Sequence, residues 1–177
     1  LALDLVEKRL VTDQLVLTVG YDRENLSASE AGKSYKGKIT TDRYGRSVPK
    51  HDHGTVNLKE QTSSAKMILE AVLGLYDQII QKKFLIRRIS IGANRVVDES
   101  TVEKEPVFEQ LDLFTDYVAL KKEQEEKEAR LGRERRLQEA MLDIKKKYGK
   151  NAVLKGLSLM EGATAMERNR QIGGHKA

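Results

Sequence analysis

The sequence predicts an α+β fold: one small sheet-and-helix unit followed by a long, mostly helical tail. Three observations carry that prediction. Leu15, Leu17, Val19 and Tyr21 alternate with Val16, Thr18 and Gly20, the period of a strand with one buried face. Ala65, Ile68, Leu69, Val72, Leu75, Tyr76, Ile79 and Ile80 recur at helical spacing. From Lys121 to Arg136 the chain is almost wholly charged, with opposite signs three and four residues apart, as on a solvated helix.

Composition narrows the classes. The 177 residues suffice for one domain plus extensions, but 33% charged and 5% aromatic residues are thin for a single core of that length. With no cysteine, disulfides and thiolate metal sites are excluded. No apolar run approaches the roughly 18 residues of a membrane span, and no secretory signal is visible, so a cytoplasmic protein is expected. A start at Leu1 rather than Met predicts a fragment. The net charge of +5 suits a polyanion partner.

Element by element, Leu1 to Val11 reads as a helix with Ala2, Leu5, Val6 and Leu10 on one stripe. Leu15 to Tyr21 is the first strand. Asp22 to Ser47 reads as a long basic loop carrying Lys33, Lys36, Lys38, Arg43 and Arg46, a flap able to contact phosphates. Val48 to Leu58 reads as a second strand, with Pro49 at its start or at a bulge. His51 and His53 fall on one face of it, without a third metal ligand nearby in sequence. Thr62 or Ser63 is placed to cap the helix that runs to Gln81, the main core element. Leu85 to Ala93 is the last strand. Leu85, Arg87, Ile89 and Ile91 share one face, and Ile86, Arg88, Ser90 and Asn94 the other.

An acidic linker follows, Asp98 to Glu109, with Pro106 inside it. It leads to Gln110-Leu111-Asp112-Leu113-Phe114, a compact peptide anchor: two side chains for an apolar pocket and a glutamine for its rim. Tyr117 to Tyr148 reads as helix, broken or softened at Gly132. Leu137, Met141, Ile144 and Tyr148 make a narrow apolar seam, and Gly149 ends the helix. Asn151 to Leu159 adds a short element, and Gly162 to Ala177 is expected to be mobile.

These stretches resemble the C-terminal part of Y-family translesion DNA polymerases, the UmuC/DinB group. The resemblance lies in the order helix, strand, long loop, strand, helix, strand, then a Gln-Leu-x-Leu-Phe peptide. Particular segments are similar to the branch found in Gram-positive bacteria: Leu10-Val11-Thr12-Asp13-Gln14, Ile39 to Arg46, Ile86-Arg87-Arg88-Ile89 and Lys147-Tyr148-Gly149-Lys150-Asn151. Glu161-Gly162-Ala163-Thr164 and Arg168 to His175 extend the likeness to the end of the chain.

The resemblance implies a little-finger domain over 1–97, of β-α-β-β-α-β type, with two helices on one sheet face and the first strand missing. That strand would be central, so its loss predicts a gap or an exposed inner edge. A linker with the anchor peptide would span 98–116, and a charged helix and tail 117–177. The implied partners are primer–template DNA and, through Gln110, Leu111, Asp112, Leu113 and Phe114, the sliding clamp, with other repair proteins at the tail and no membrane. Candidate DNA contacts are Arg87, Arg88, Ser90, Lys36, Lys38, Arg43, Arg46, Thr62 and Ser63, with Arg88 and Ser90 favoured by strand alternation.

The implied activity is error-prone synthesis in DNA repair and damage tolerance. The palm, whose carboxylates would hold magnesium, is absent from this chain. Asp112/Asp116 and Asp98/Glu99 do not replace it, so no catalytic residue, metal or cofactor is assigned and catalysis by this chain alone is not expected. The alternative is a non-enzymatic adaptor that binds a protein through its helical tail. A metal or hydrolytic enzyme built on His51 and His53 lacks a convergent acid–base set.

Overall fold

The computed structural model describes residues 1–27, 37–102, 117–172 and 175–176. The chain forms two compact units, Leu1–Pro106 and Val107–Ala177.

The first unit is built around one strand. Helix α1, Ala2–Glu7, is followed at once by β1, Leu10–Tyr21. The turn between them is made by Arg9, held at φ 54° in the left-handed region. The apolar stripe predicted to extend through Leu10 and Val11 is thus divided. These two residues pair as strand with β6, Val97–Asp98, and Leu10 and Val11 satisfy their backbone there instead of continuing the helix.

Strand β1 has an antiparallel neighbour on each side: β4, Asp52–Thr62, and β5, Ile86–Asn94. Its pairs with β4 and β5 leave no gap within the sheet, contrary to one expected consequence of a missing central strand. The far edge of β5 carries no partner strand among the described residues.

Around Asp13 the pairing of β1 is interrupted on both sides, but the register shifts there only on the β4 side; along β5 it shifts between Gly20 and Tyr21. Gln14 pairs with Asn94, and Val11 pairs with Val97 in the same register, so β5 and β6 are one strand interrupted at Arg95 and Val96. On the other side Gln14 pairs with Asn57 but Thr12 with Thr62, so Leu58 to Gln61 bulge past Asp13. The fully buried Thr12 hydroxyl bridges the break. It lies 2.5 Å from the Asn94 carbonyl and 3.0 Å from the Gln14 carbonyl, and accepts from the Gln14 N–H at 3.2 Å.

Helix α2, Ala65–Ile79, covers the face of β1 that carries Leu15, Leu17 and Val19, and Leu5 of α1 joins the same core. The cap is Ser64, whose hydroxyl accepts from the Met67 N–H at 3.2 Å, not Thr62 or Ser63. Gly54 lets α2 approach β4: a Cβ there would stand 2.8 Å from Leu75 Cδ1 and 3.1 Å from Ile79 Cγ2. At the far end of α2 the Tyr21 hydroxyl donates to Asp52 Oδ2 at 2.7 Å and accepts from the Gln81 N–H at 2.9 Å. The Phe84 ring meets Tyr21 edge-on at 5.5 Å. Burial pushes the Tyr21 phenol up to about 12.

The stretch expected to be one long basic loop contains a hairpin of β2, Ile39–Thr41, and β3, Ser47–Pro49. The second predicted strand is therefore split: Pro49 ends β3, His51 lies in the connection, and β4 starts at Asp52. Asp98, which begins the predicted linker, caps a short 3-10 turn by accepting from the Ser100 N–H at 2.9 Å and hydroxyl at 2.6 Å.

In the second unit α3, Tyr117–Tyr148, runs without a break at Gly132. Its inward stripe includes Leu131, Gln138, Met141 and Leu142, whereas Leu137 and Tyr148 of the predicted seam are exposed. Gly149 ends it as expected, at φ 92°, with its N–H on the Lys145 carbonyl at 2.9 Å. The following segment contains α4, Ala165–Asn169, and a small hairpin of β7, Gln171–Ile172, and β8, His175–Lys176. Asn169 Nδ2 donates to Asn151 Oδ1 at 2.7 Å, and Asn151 donates to the Met166 carbonyl at 3.3 Å. These bonds give order to a segment that composition alone marked as mobile. Among the described residues no helix is long and apolar enough to cross a membrane.

Candidate nucleic-acid interface

Because Leu15, Leu17 and Val19 point into the core, strand alternation sends Gln14, Val16, Thr18 and Gly20 to the opposite face. Residues paired across antiparallel strands share a face, so the register lays out its surface. Asn57, Gln14 and Asn94 form one row; Thr55, Val16 and Gly92 the next; then His53, Thr18 and Ser90; and finally Gly20 with Arg88. Among the described residues of the first unit no helix packs on this face, which is mostly polar and three strands wide. Lys59 extends it along β4.

Hydrogen bonds hold the first row flat. Gln14 Nε2 donates to Asn57 Oδ1 at 2.8 Å, and Asn94 Nδ2 donates to Gln14 Oε1 at 3.3 Å. Arg95 reaches back across the sheet: Nη2 donates to Asn57 Oδ1 at 2.8 Å and Nε lies 2.9 Å from Asp13 Oδ1. Arg95 sits at φ 47°, a left-handed conformation that costs a non-glycine residue about 1–2 kcal/mol. Its contacts to two other strands offset that cost. Arg88 Nε donates to Ser90 Oγ at 3.0 Å, which aligns the guanidinium along its strand.

The face carries two lightly engaged cations, Arg88 and Lys59, and a third, Arg95, paired with Asp13. Its other side chains are the amides of Gln14, Asn57 and Asn94, the hydroxyls of Thr18, Thr55 and Ser90, the His53 imidazole and the apolar Val16. Such a surface can hydrogen-bond phosphate and sugar oxygens with little charge buried and no selectivity for bases.

Arg88 and Ser90 lie together on the face that alternation predicts. Arg87 does not join them. A bulge sets Ile86 opposite Tyr21, so Ile86 leaves the polar set, and Arg87 pairs with Asp22 at 3.6 Å. Thr62 and Ser63, both 8% exposed, are poor candidates for contact through their side chains, and the Thr62 hydroxyl accepts from the Ser64 N–H at 3.0 Å. Lys38, Arg43 and Arg46 belong to the β2–β3 hairpin rather than the sheet. Lys36 and the whole of Gln110 to Phe114 lie outside the described residues.

His51 and His53 are exposed, with ring centroids 6.0 Å apart, and among the described residues no three His, Asp or Glu side chains gather as a metal site. Sequence reasoning missed Gln14, Asn57 and Arg95. The alternation Thr55, Asn57, Lys59 against Val56, Leu58 signals a polar face on β4. Nothing local signals that Arg95 interrupts a strand.

No protein-family model, no curated protein and no solved structure matches the chain.

Proposed function

We propose that this chain is the DNA-gripping and clamp-tethering portion of an error-prone translesion DNA polymerase. The observation that carries the reading is the open sheet face: Arg88, Ser90, Thr18, Gln14 and Asn57 displayed together, with Lys59 exposed farther along β4 and no helix of the first unit's described residues over them. Its outer strands stand about 10 Å apart at ordinary strand spacing. That width suits a sheet lying along a major groove about 12 Å wide.

The chemistry suits the task. A lesion-bypass polymerase must hold duplex of any sequence, and hydroxyls, amides and a few cations address the phosphate–sugar backbone that all sequences share. A grip with so few charges is weak, which gives a purpose to the peptide Gln110 to Phe114. Anchored in a ring around the same duplex, it raises the local concentration of the grip at the primer end. The reading assigns no catalytic step to this chain.

Primer–template binding measured against salt tests the grip. Two or three phosphate contacts give a slope of log K on log salt of roughly −2 to −3. Arg88→Ala is expected to weaken binding to all sequences about equally and to flatten the slope by about 1. A loss confined to particular sequences, or binding indifferent to salt, contradicts a backbone-directed face.

A further inference from the structure

The β2–β3 hairpin is a built object whose tip has no role in the core. Asp42 organises it. One carboxylate oxygen accepts from the Tyr44 N–H at 2.8 Å and the Arg46 N–H at 2.9 Å, and the other from Arg46 Nε at 2.8 Å, with Arg46 Nη2 at 2.7 Å. The Asp42 N–H donates to the Arg46 carbonyl at 2.9 Å, and Gly45, at φ 75°, closes the turn by donating to the Asp42 carbonyl at 3.0 Å. The Arg46 side-chain hydrogen bond, with the backbone donors, holds the Asp42 carboxyl below its usual range.

What this clasp displays is an aromatic ring. Tyr44 is 77% exposed, and the Arg46 guanidinium stacks over it at 4.9 Å from the centroid. Arg43, next to Tyr44 in the turn, is exposed, while Lys38 and Lys50 meet at the other end of the hairpin, where the Lys50 N–H donates to the Lys38 carbonyl at 2.8 Å. Apart from its stacking with Arg46, this large aromatic side chain stands in water at the tip of an ordered turn. A π-face with one guanidinium stacked on it and a second arginine adjacent in the turn matches one ligand chemistry: a nucleobase that stacks on the open side while its flanking phosphates meet the arginines.

We infer that the hairpin tip is a stacking site for an unpaired base of single-stranded nucleic acid, with Tyr44 as the platform and Arg43 and Arg46 as phosphate contacts. This deepens the proposed reading and rests on it for the choice of nucleic acid as ligand. The site is separate from the duplex-holding face, and a lesion-bypass complex offers it unpaired template beside the duplex.

The whole chain contains no tryptophan, so Tyr44→Trp installs a single indole at the tip. Oligothymidylate is expected to quench its fluorescence, and an abasic oligomer of equal length and charge is not. Tyr44→Ala is expected to weaken oligothymidylate binding about 5- to 100-fold, Tyr44→Phe to retain most of it, and both to leave duplex binding intact. Equal quenching by the abasic oligomer, unchanged affinity in Tyr44→Ala, or no oligothymidylate binding at all overturns the inference. Equally tight competition by a polyglutamate peptide also overturns it and assigns the tip to an acidic protein segment. If Arg88→Ala weakens duplex binding while Tyr44→Ala changes nothing, the stacking site falls and the duplex grip stands; loss of salt-dependent duplex binding with stacking preserved is the reverse case.

Discussion

At the level of single residues, two buried hydroxyls hold this small core in register. Thr12 sits where the register with β4 shifts and the pairing with β5 is interrupted, and its hydroxyl serves the Asn94 carbonyl and the Gln14 N–H. Thr12→Val keeps the shape and removes that service, leaving buried backbone groups unpaired, which costs about 1–3 kcal/mol. Chemical denaturation would show it as a lower midpoint with an unchanged slope.

Tyr21 gives a pH signature instead. Its folded pKa, about 12, lies above the ordinary value near 10, so its contribution is full below pH 10 and is lost as pH rises towards 12. The difference in stability between the parent and Tyr21→Phe should therefore shrink over that window, by on the order of 2 kcal/mol. A constant difference through pH 12 would mean that the hydroxyl is not held protonated by the fold.

Among the elements, the contact between α2 and β4 depends on a missing side chain. Gly54 faces Leu75 and Ile79, and even one methyl there meets them at 2.8 and 3.1 Å. Overpacking of this kind costs about 1–3 kcal/mol, so Gly54→Ala should lower the thermal midpoint by several degrees. Ala at Gly92, on the open face with nothing within 4 Å, is the control.

Strand β5 differs from its neighbours. Ile89 and Ile91 stand opposite the buried Val19 and Leu17, yet they are 51% and 44% exposed. The core side of the sheet is thus only partly covered at this edge. The alternation along β5 shows which side is apolar. Whether a helix lies over that side depends on where α2 crosses, and it crosses β4 and β1.

At the scale of the whole molecule, the proposed function joins a weak grip to a tether. Leu113→Ala together with Phe114→Ala should abolish binding to a sliding clamp while leaving DNA affinity unchanged. Surface-immobilised clamp and a primer–template titration measure the two separately. Undiminished clamp binding removes the peptide from the assignment. The long helix α3 contributes no broad apolar face: most of its residues are charged, its inward stripe includes Gln138 at 5% exposure, and its predicted seam is largely in solvent.

Much of the architecture was legible before any coordinates. The strand through Leu15 to Tyr21, the helix that starts at Ala65, the placement of Arg88 with Ser90, and the stop at Gly149 follow from periods and local signals that act within a few residues, although the cap expected at Thr62 or Ser63 is Ser64. Leu10 and Val11 were misread as helix because their partner, β6, lies almost 90 residues away. The hairpin around Asp42 was read as loop because its strands are three residues each, too short for a period. Helix α4, Ala165–Asn169, is not signalled locally because its end is tied to an amide 18 residues back, Asn151 with Asn169.

The sequence by itself determined which side of each strand and helix is apolar, since a period of 2 or 3.6 is written locally. The tertiary structure decided what stands beside what: the row Asn57, Gln14, Asn94, the reach of Arg95 across the sheet, and the display of Tyr44 at the tip of an ordered turn. The physical reason is that alternation chooses a face but leaves register free to slip by two, and only the hydrogen bonds and packing of the assembled strands remove that freedom.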